Sequence, residues 1–101
     1  MRQIIEKKIV DTTDMTEVAK RVVVYTPSGS PVGWGIIYLA DDGVYWYCII
    51  GKDNIFAPDD SLTKIGKGLD ALLSWVSENN KWNKEVDLIE HILNSKTSDI
   101  A

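Results

Sequence analysis

Gly33-Trp34-Gly35-Ile36-Ile37-Tyr38-Leu39-Ala40, Asp41-Asp42-Gly43, Val44-Tyr45-Trp46-Tyr47-Cys48-Ile49-Ile50 is the stretch that decides the fold. Two runs rich in β-branched and aromatic residues flank an Asp-Gly pair, the strongest short-range signal for a β-hairpin. Gly43 accepts the positive φ of a type I′ turn at no steric cost, and Asp42 tolerates it. With Asp42-Gly43 as a two-residue turn, Asp41 pairs with Val44, Leu39 with Trp46, Ile37 with Cys48 and Gly35 with Ile50. Side chains alternate across a strand, so this register sets both faces at once. One face is apolar and is assigned to the core. The other carries Trp34, Ile36, Tyr38, Tyr45, Tyr47 and Ile49. It has two readings: an internal face covered by helices or a neighbouring segment, or a partner surface anchored by tyrosines.

The chain has 101 residues, 45% of them hydrophobic and 26% charged, which places it among globular proteins and allows one core. A single domain over residues 1–101 follows. The longest apolar run, Val44 to Ile50, is far too short to span a membrane. Charge enters the N-terminus too early for a secretory signal. Cys48 is the single cysteine. It cannot form an internal disulfide, which points to a reducing compartment and hence the cytoplasm.

Net charge is −4. Residues 1–52 hold six basic and six acidic side chains, whereas residues 53–101 hold five and nine, so the acidic excess lies in the second half. Basic residues pair only at Lys7-Lys8 and Lys20-Arg21. Without a basic patch direct nucleic-acid binding is disfavoured, and a partner with a basic surface is favoured.

Ile4, Ile5, Ile9 and Val10 read as a short edge strand. Asp14 and Glu17 have capping-box spacing, so Met15 to Ala19 is either a one-turn helix or the lead-in to the next strand, Arg21 to Thr26. Pro27-Ser28-Gly29-Ser30-Pro31 is a loop without phosphate-loop spacing. After the hairpin, Ile55-Phe56-Ala57 reads as a short third strand of a meander. Asp60 or Ser61 is then the N-cap of a helix whose stripe is Leu62, Ile65, Leu69, Leu72 and Val76. Gly66 and Gly68 fall inside that helix, either through close packing on the sheet, the favoured reading, or as a helix start kept open for another chain. It ends at Glu78-Asn79-Asn80-Lys81 with an asparagine in a left-handed cap. Asn83 caps a second helix, from Lys84 to about Asn94, with Val86, Ile89 and Leu93 as its stripe, Leu88 and Ile92 beside it, and Glu85, Asp87 and Glu90 making its other face acidic. Residues 95–101 read as a polar, frayed tail. The order predicts an α+β domain: an antiparallel β-meander of about four to five strands with two C-terminal helices packed on one face. Asp42-Gly43-Val44-Tyr45-Trp46 followed by the capped start Asp60-Ser61-Leu62 resembles the sheet-and-helix core of HicB-type antitoxins, through elements that are generic.

No catalytic set emerges. His91 lacks a serine partner motif, and Cys48 sits on an apolar strand face where a thiol packs inertly. One cysteine and one histidine cannot build a zinc site, and neither a metal nor any other cofactor is expected. Asp41-Asp42 and Asp59-Asp60 each have a structural use, at a turn and at a helix cap. They would hold a divalent cation only by converging at one end of the sheet, which is the least favoured reading, a metal-dependent enzyme.

The expectation is therefore a small acidic non-enzymatic binding protein, a stoichiometric inhibitor of the anti-defence (anti-CRISPR), immunity or antitoxin type. Its partner is a protein with a basic surface, such as one that itself binds nucleic acid. The charge contacts are Asp41, Asp42, Asp59, Asp60, Glu85, Asp87 and Glu90, and the anchors Tyr38, Tyr45, Tyr47 and Trp82. The alternative is a self-associating structural or regulatory domain of a phage or bacterial protein, a homodimer rather than a monomer, paired through the hairpin face.

Overall fold

The computed structural model of the chain describes residues 1–100, with residues 96–100 described by backbone alone. Among the described residues the elements are β1 (Arg2–Ile5), β2 (Lys8–Asp11), β3 (Thr16–Tyr25), β4 (Pro31–Leu39), β5 (Val44–Gly51), β6 (Ser61–Lys67), α1 (Gly68–Glu78) and α2 (Val86–Ile100). Short 3-10 turns at Thr12–Asp14 and Asn80–Trp82 join β2 to β3 and α1 to α2. The strands form an antiparallel four-stranded meander, β3-β4-β5-β6, and a separate β1-β2 hairpin. The α+β class, the meander and the two C-terminal helices all follow the sequence reading.

The central hairpin turns where expected but in a different register. Gly43 N–H donates to the Ala40 carbonyl and Ala40 N–H to the Val44 carbonyl, both at 3.0 Å. Ala40 therefore closes against Val44 across the three residues Asp41-Asp42-Gly43, a type I turn followed by a glycine bulge with Gly43 at φ +85°. Such a loop needs positive φ at one residue, whereas the expected type I′ turn needs it at Asp42 as well. The Asp42 carboxylate accepts from Val44 N–H at 3.1 Å and holds the loop in this form. The one-residue slip turns β5 over relative to β4: Leu39 pairs with Tyr45, Ile37 with Tyr47, Tyr38 with Trp46 and Ile36 with Cys48. The expected separation of aliphatic from phenolic faces is thereby replaced by two mixed faces.

Both faces are covered. Ile37, Tyr45 and Ala19 are buried with Leu72, Trp82 and Leu88, so α1, α2 and the turn between them lie on this side. Ile36, Trp46, Cys48, Val44 and Leu62 are buried on the opposite side, beneath Met1, Ile5, Val10 and Met15 of the N-terminal hairpin. Fully buried Ile37, Leu72 and Leu88 each contribute roughly 1.5–3 kcal/mol of apolar burial. The single N-terminal strand of the sequence reading is thus two strands. Glu6 and Lys7, at φ 52° and 66°, make the tight turn between them. Of the two readings for Met15 to Ala19, the lead-in to β3 is the observed one.

The largest departure lies at residues 55–67. Ile55-Phe56-Ala57 is loop, and the strand that follows the hairpin and closes the meander is β6, Ser61–Lys67, where the sequence indicates helix. Asp60 does not cap a helix: its carboxylate accepts from Gly51 N–H at 2.8 Å and closes the β5–β6 loop. Helix α1 begins only at Gly68, with Lys67 as its N-cap residue, so Gly66 and Gly68, at φ +140° and +86°, turn the chain from sheet to helix instead of interrupting a helix. The capped-helix element behind the resemblance to HicB-type antitoxins is absent at Asp60-Ser61. Asn79 ends α1 at φ −120°, not left-handed, with its amide donating to the Trp75 carbonyl at 2.8 Å. Asn83 belongs to the turn between the helices and α2 starts at Val86. Helix α2 continues to Ile100, so the tail expected to fray from Ser95 is helical up to that residue, and Ala101 lies outside the described residues.

Gly68 tests this junction by sign. An added Cβ there meets nothing within 4 Å, so only backbone conformation is at stake. In a helix interior Gly68→Ala would stabilise by about 1 kcal/mol. At positive φ it destabilises by about 1–2 kcal/mol, read as a lower midpoint in urea unfolding with unchanged slope.

Candidate interaction surfaces

The side chains expected to anchor a partner are drawn mostly into the interior. Tyr45 and Trp82 are 4% and 3% exposed. Tyr47 is half-buried between Trp75 and Trp82, with ring centroids 4.8 and 5.8 Å away, and Tyr38 is half-buried under the N-terminal hairpin. Burial pushes all three tyrosine hydroxyls above their ordinary pKa. Of the two readings of the tyrosine face, internal cover is the observed one. The slip places Tyr45 and Tyr47 under the helices and leaves Tyr38 on the opposite side. Both sides of the central hairpin are occupied, so it offers no free face to a second copy.

Two contacts fix the helical layer. Arg21, on β3, donates to the Lys81 carbonyl, lies 5.9 Å from the Trp82 ring and sits 4.0 Å from the Glu85 carboxylate. Glu85 is thus drawn into an internal ion pair. The Tyr45 hydroxyl and His91 Nε2 are hydrogen-bonded at 2.6 Å, joining β5 to α2. Burial lowers the His91 pKa, which favours the neutral ring.

The acidic pairs do not converge. Asp41-Asp42 precede the first residue of β5, while Asp60 binds the amide of its last, Gly51. Eight residues of strand put roughly 23 Å between those ends. The cation site that required them together is therefore absent, and the described residues contain no group of three or more His, Cys, Asp or Glu side chains placed to hold a metal. Asp41 and Asp42 instead meet Asp11 and Asp14, lining with Lys8 and Trp46 a hollow of about 300 Å³. No local pattern marks Asp11 and Asp14 as neighbours of this pair, because it is the N-terminal hairpin that brings them there. Asp11 is already engaged: it accepts from Thr13 N–H at 3.0 Å and pairs with Arg2 at 3.2 Å, and its pKa falls to about 2, chiefly through the Thr13 amide. Asp59 is exposed in the β5–β6 loop, beyond Ile55 and Phe56.

Helix α2 brings the remaining predicted residues together. Asp87 and Glu90 line, with Glu17, Val18, His91 and Asn94, a trough of about 390 Å³ between α2 and β3. Beside it runs the residue set the sequence assigned to the core: Val86, Ile89 and Leu93 are 64%, 40% and 57% exposed. The core side of α2 is instead Leu88 and Ile92. At 100° per residue these five apolar positions spread over roughly 160° of the helix, and the sheet covers only part of that arc. That width was the available signal. A further hollow of about 450 Å³ is walled by Val23, Tyr47, Trp82 and residues 78–81, among which Glu78 and Lys81 carry opposite charges. No family model, curated protein or solved structure matches the chain.

The Tyr45–His91 contact gives two measurable outcomes. Tyr45→Phe removes one hydrogen bond and costs about 1 kcal/mol in chemical unfolding. Because the folded His91 pKa lies below 6.5, stability is complete above that pH and is lost as pH falls below it toward the folded value. Unfolding midpoints therefore drop as pH falls below 6.5, and His91→Gln flattens that dependence.

Proposed function

We propose that this chain is a small acidic, non-enzymatic binding protein acting as a stoichiometric inhibitor, of the anti-defence, immunity or antitoxin type, on a protein with a basic surface. The observation that carries this reading is the company Asp87 and Glu90 keep: with Glu17 they line a trough beside an exposed apolar stripe. Charge at the rim steers and selects a partner, while apolar contact beside it supplies affinity. The acidic excess of residues 53–101 supports it further. The lone thiol, Cys48, is fully buried, in keeping with a cytoplasmic setting where no disulfide is needed. Among the described residues no helix is long and apolar enough to cross a membrane.

The second reading, a self-associating domain, is favoured by the same exposed stripe. It predicts mass rising with concentration in light scattering, and a constant monomer mass removes it.

The charge test uses a partner captured from a bacterial or phage-infected lysate and then purified. Association slows as ionic strength rises past the point where the screening length is about 10 Å. Glu17→Gln/Asp87→Asn/Glu90→Gln slows it by roughly tenfold and removes most of the salt dependence, read by surface plasmon resonance. Binding indifferent to both salt and these substitutions would discard the reading.

A further inference from the structure

The geometry points to the outer side of α2 as the docking surface, and to its occupant as an amphipathic helix of a partner protein with lysine or arginine along one flank. This inference rests on the function proposed above and adds the place and shape of the contact. Val86, Ile89 and Leu93 are spaced by three and four residues, the positions that form the seam between two packed helices. Taking Val86 as the origin, they fall at 0°, 300° and 340° around the helix, with Glu90 at 40° and Asp87 at 100°. Asp87 and Glu90 therefore form a row along one side of the apolar stripe. A helix lying on the stripe has one flank over that row and over the trough that Glu17 completes.

Charge complementarity selects the occupant. Glu90 follows Ile89 directly, the flanking position where two paired helices exchange opposite charges. The trough, at about 390 Å³, is comparable with small-ligand pockets and admits ammonium or guanidinium heads. A second copy is the poorer fit. An antiparallel two-fold pairing of α2 with itself lays the acidic row against its own image, between two chains each of net charge −4. The other exposed large apolar side chains lack this arrangement: Ile4 and Ile9 are a cross-strand pair, Tyr25 ends β3, and Ile55 and Phe56 lie in the β5–β6 loop.

The test titrates the full chain with a fluorescent synthetic peptide of three heptads, leucine at the seam and lysine along one flank. A scrambled peptide of identical composition is the control. One-to-one binding is expected, at least tenfold tighter than for the scrambled peptide, the equivalent of about 1.4 kcal/mol. Val86→Ser/Ile89→Ser/Leu93→Ser should weaken it about tenfold while the circular dichroism spectrum remains that of the folded chain, and Ile89→Ser alone should weaken it severalfold. Asp87→Asn/Glu90→Gln should weaken it severalfold and reduce its salt dependence. Equal binding of both peptides, or no binding of either, overturns the inference. So does binding that responds to the acidic substitutions but not to those on the stripe, a result that leaves the charge-based function standing and moves the contact elsewhere. A wild-type dimer that the stripe substitutions dissolve overturns it in favour of a second copy.

Discussion

One backbone requirement organises this protein: the chain reverses at Gly43 in a left-handed conformation, and that single residue fixes which side of β5 meets which layer. Side-chain pattern alone could not do so. Strands β4 and β5 carry large apolar or aromatic residues at nearly every position, because the sheet is covered on both sides, by helices and by the N-terminal hairpin. In a half-exposed sheet a register slip moves greasy side chains into water and is strongly opposed. Here a slip exchanges one buried set for another. The choice falls to local terms: the type I geometry of Ala40 to Gly43 and the Asp42 carboxylate on the Val44 amide.

The observed register has consequences well beyond the turn. It points Tyr45 toward α2, where its hydroxyl finds His91, and Tyr47 toward the Trp75–Trp82 pair. A buried phenol requires a polar partner. His91 supplies one and thereby fixes the rotation of α2 about its own axis. Leu88 and Ile92 share that inward side. Once the inward arc is taken by Leu88, His91 and Ile92, helical geometry sends Val86, Ile89 and Leu93 outward. The exposed stripe therefore follows from a hydrogen bond on the opposite side of the same helix.

The legibility of this fold in its sequence divides along the same line. The hairpin position, β3, the presence of two C-terminal helices and the acidic character of α2 were readable, because each rests on local chemistry. The start of α1 was not. Leu62 and Ile65 are three apart, which matches a helical stripe, but in strand β6 such a pair lies on opposite faces. Leu62 packs under the N-terminal hairpin and Ile65 under the helices. A strand buried on both sides thus imitates helical spacing, and only Gly66 and Gly68 spoke against it. Of the residues lining the trough, the sequence pointed to Asp87 and Glu90 as candidates but not to Glu17, since a long-range contact brings β3 beside α2. The two-residue turn put the tyrosines together on one face, whereas the observed register divides them between the two covering layers.

Exposed apolar residues are ordinary in folded proteins and require no explanation when scattered. Alignment is what separates α2 from the rest of this surface. A stripe of Val86, Ile89 and Leu93 loses little by exposure at any single position, yet three aligned positions form a continuous band that favours association. Nothing in the fold demands it, since the core contacts of α2 are made by Leu88 and Ile92. Bordered on one side by Asp87 and Glu90, that band is the feature on which the proposed partner helix rests.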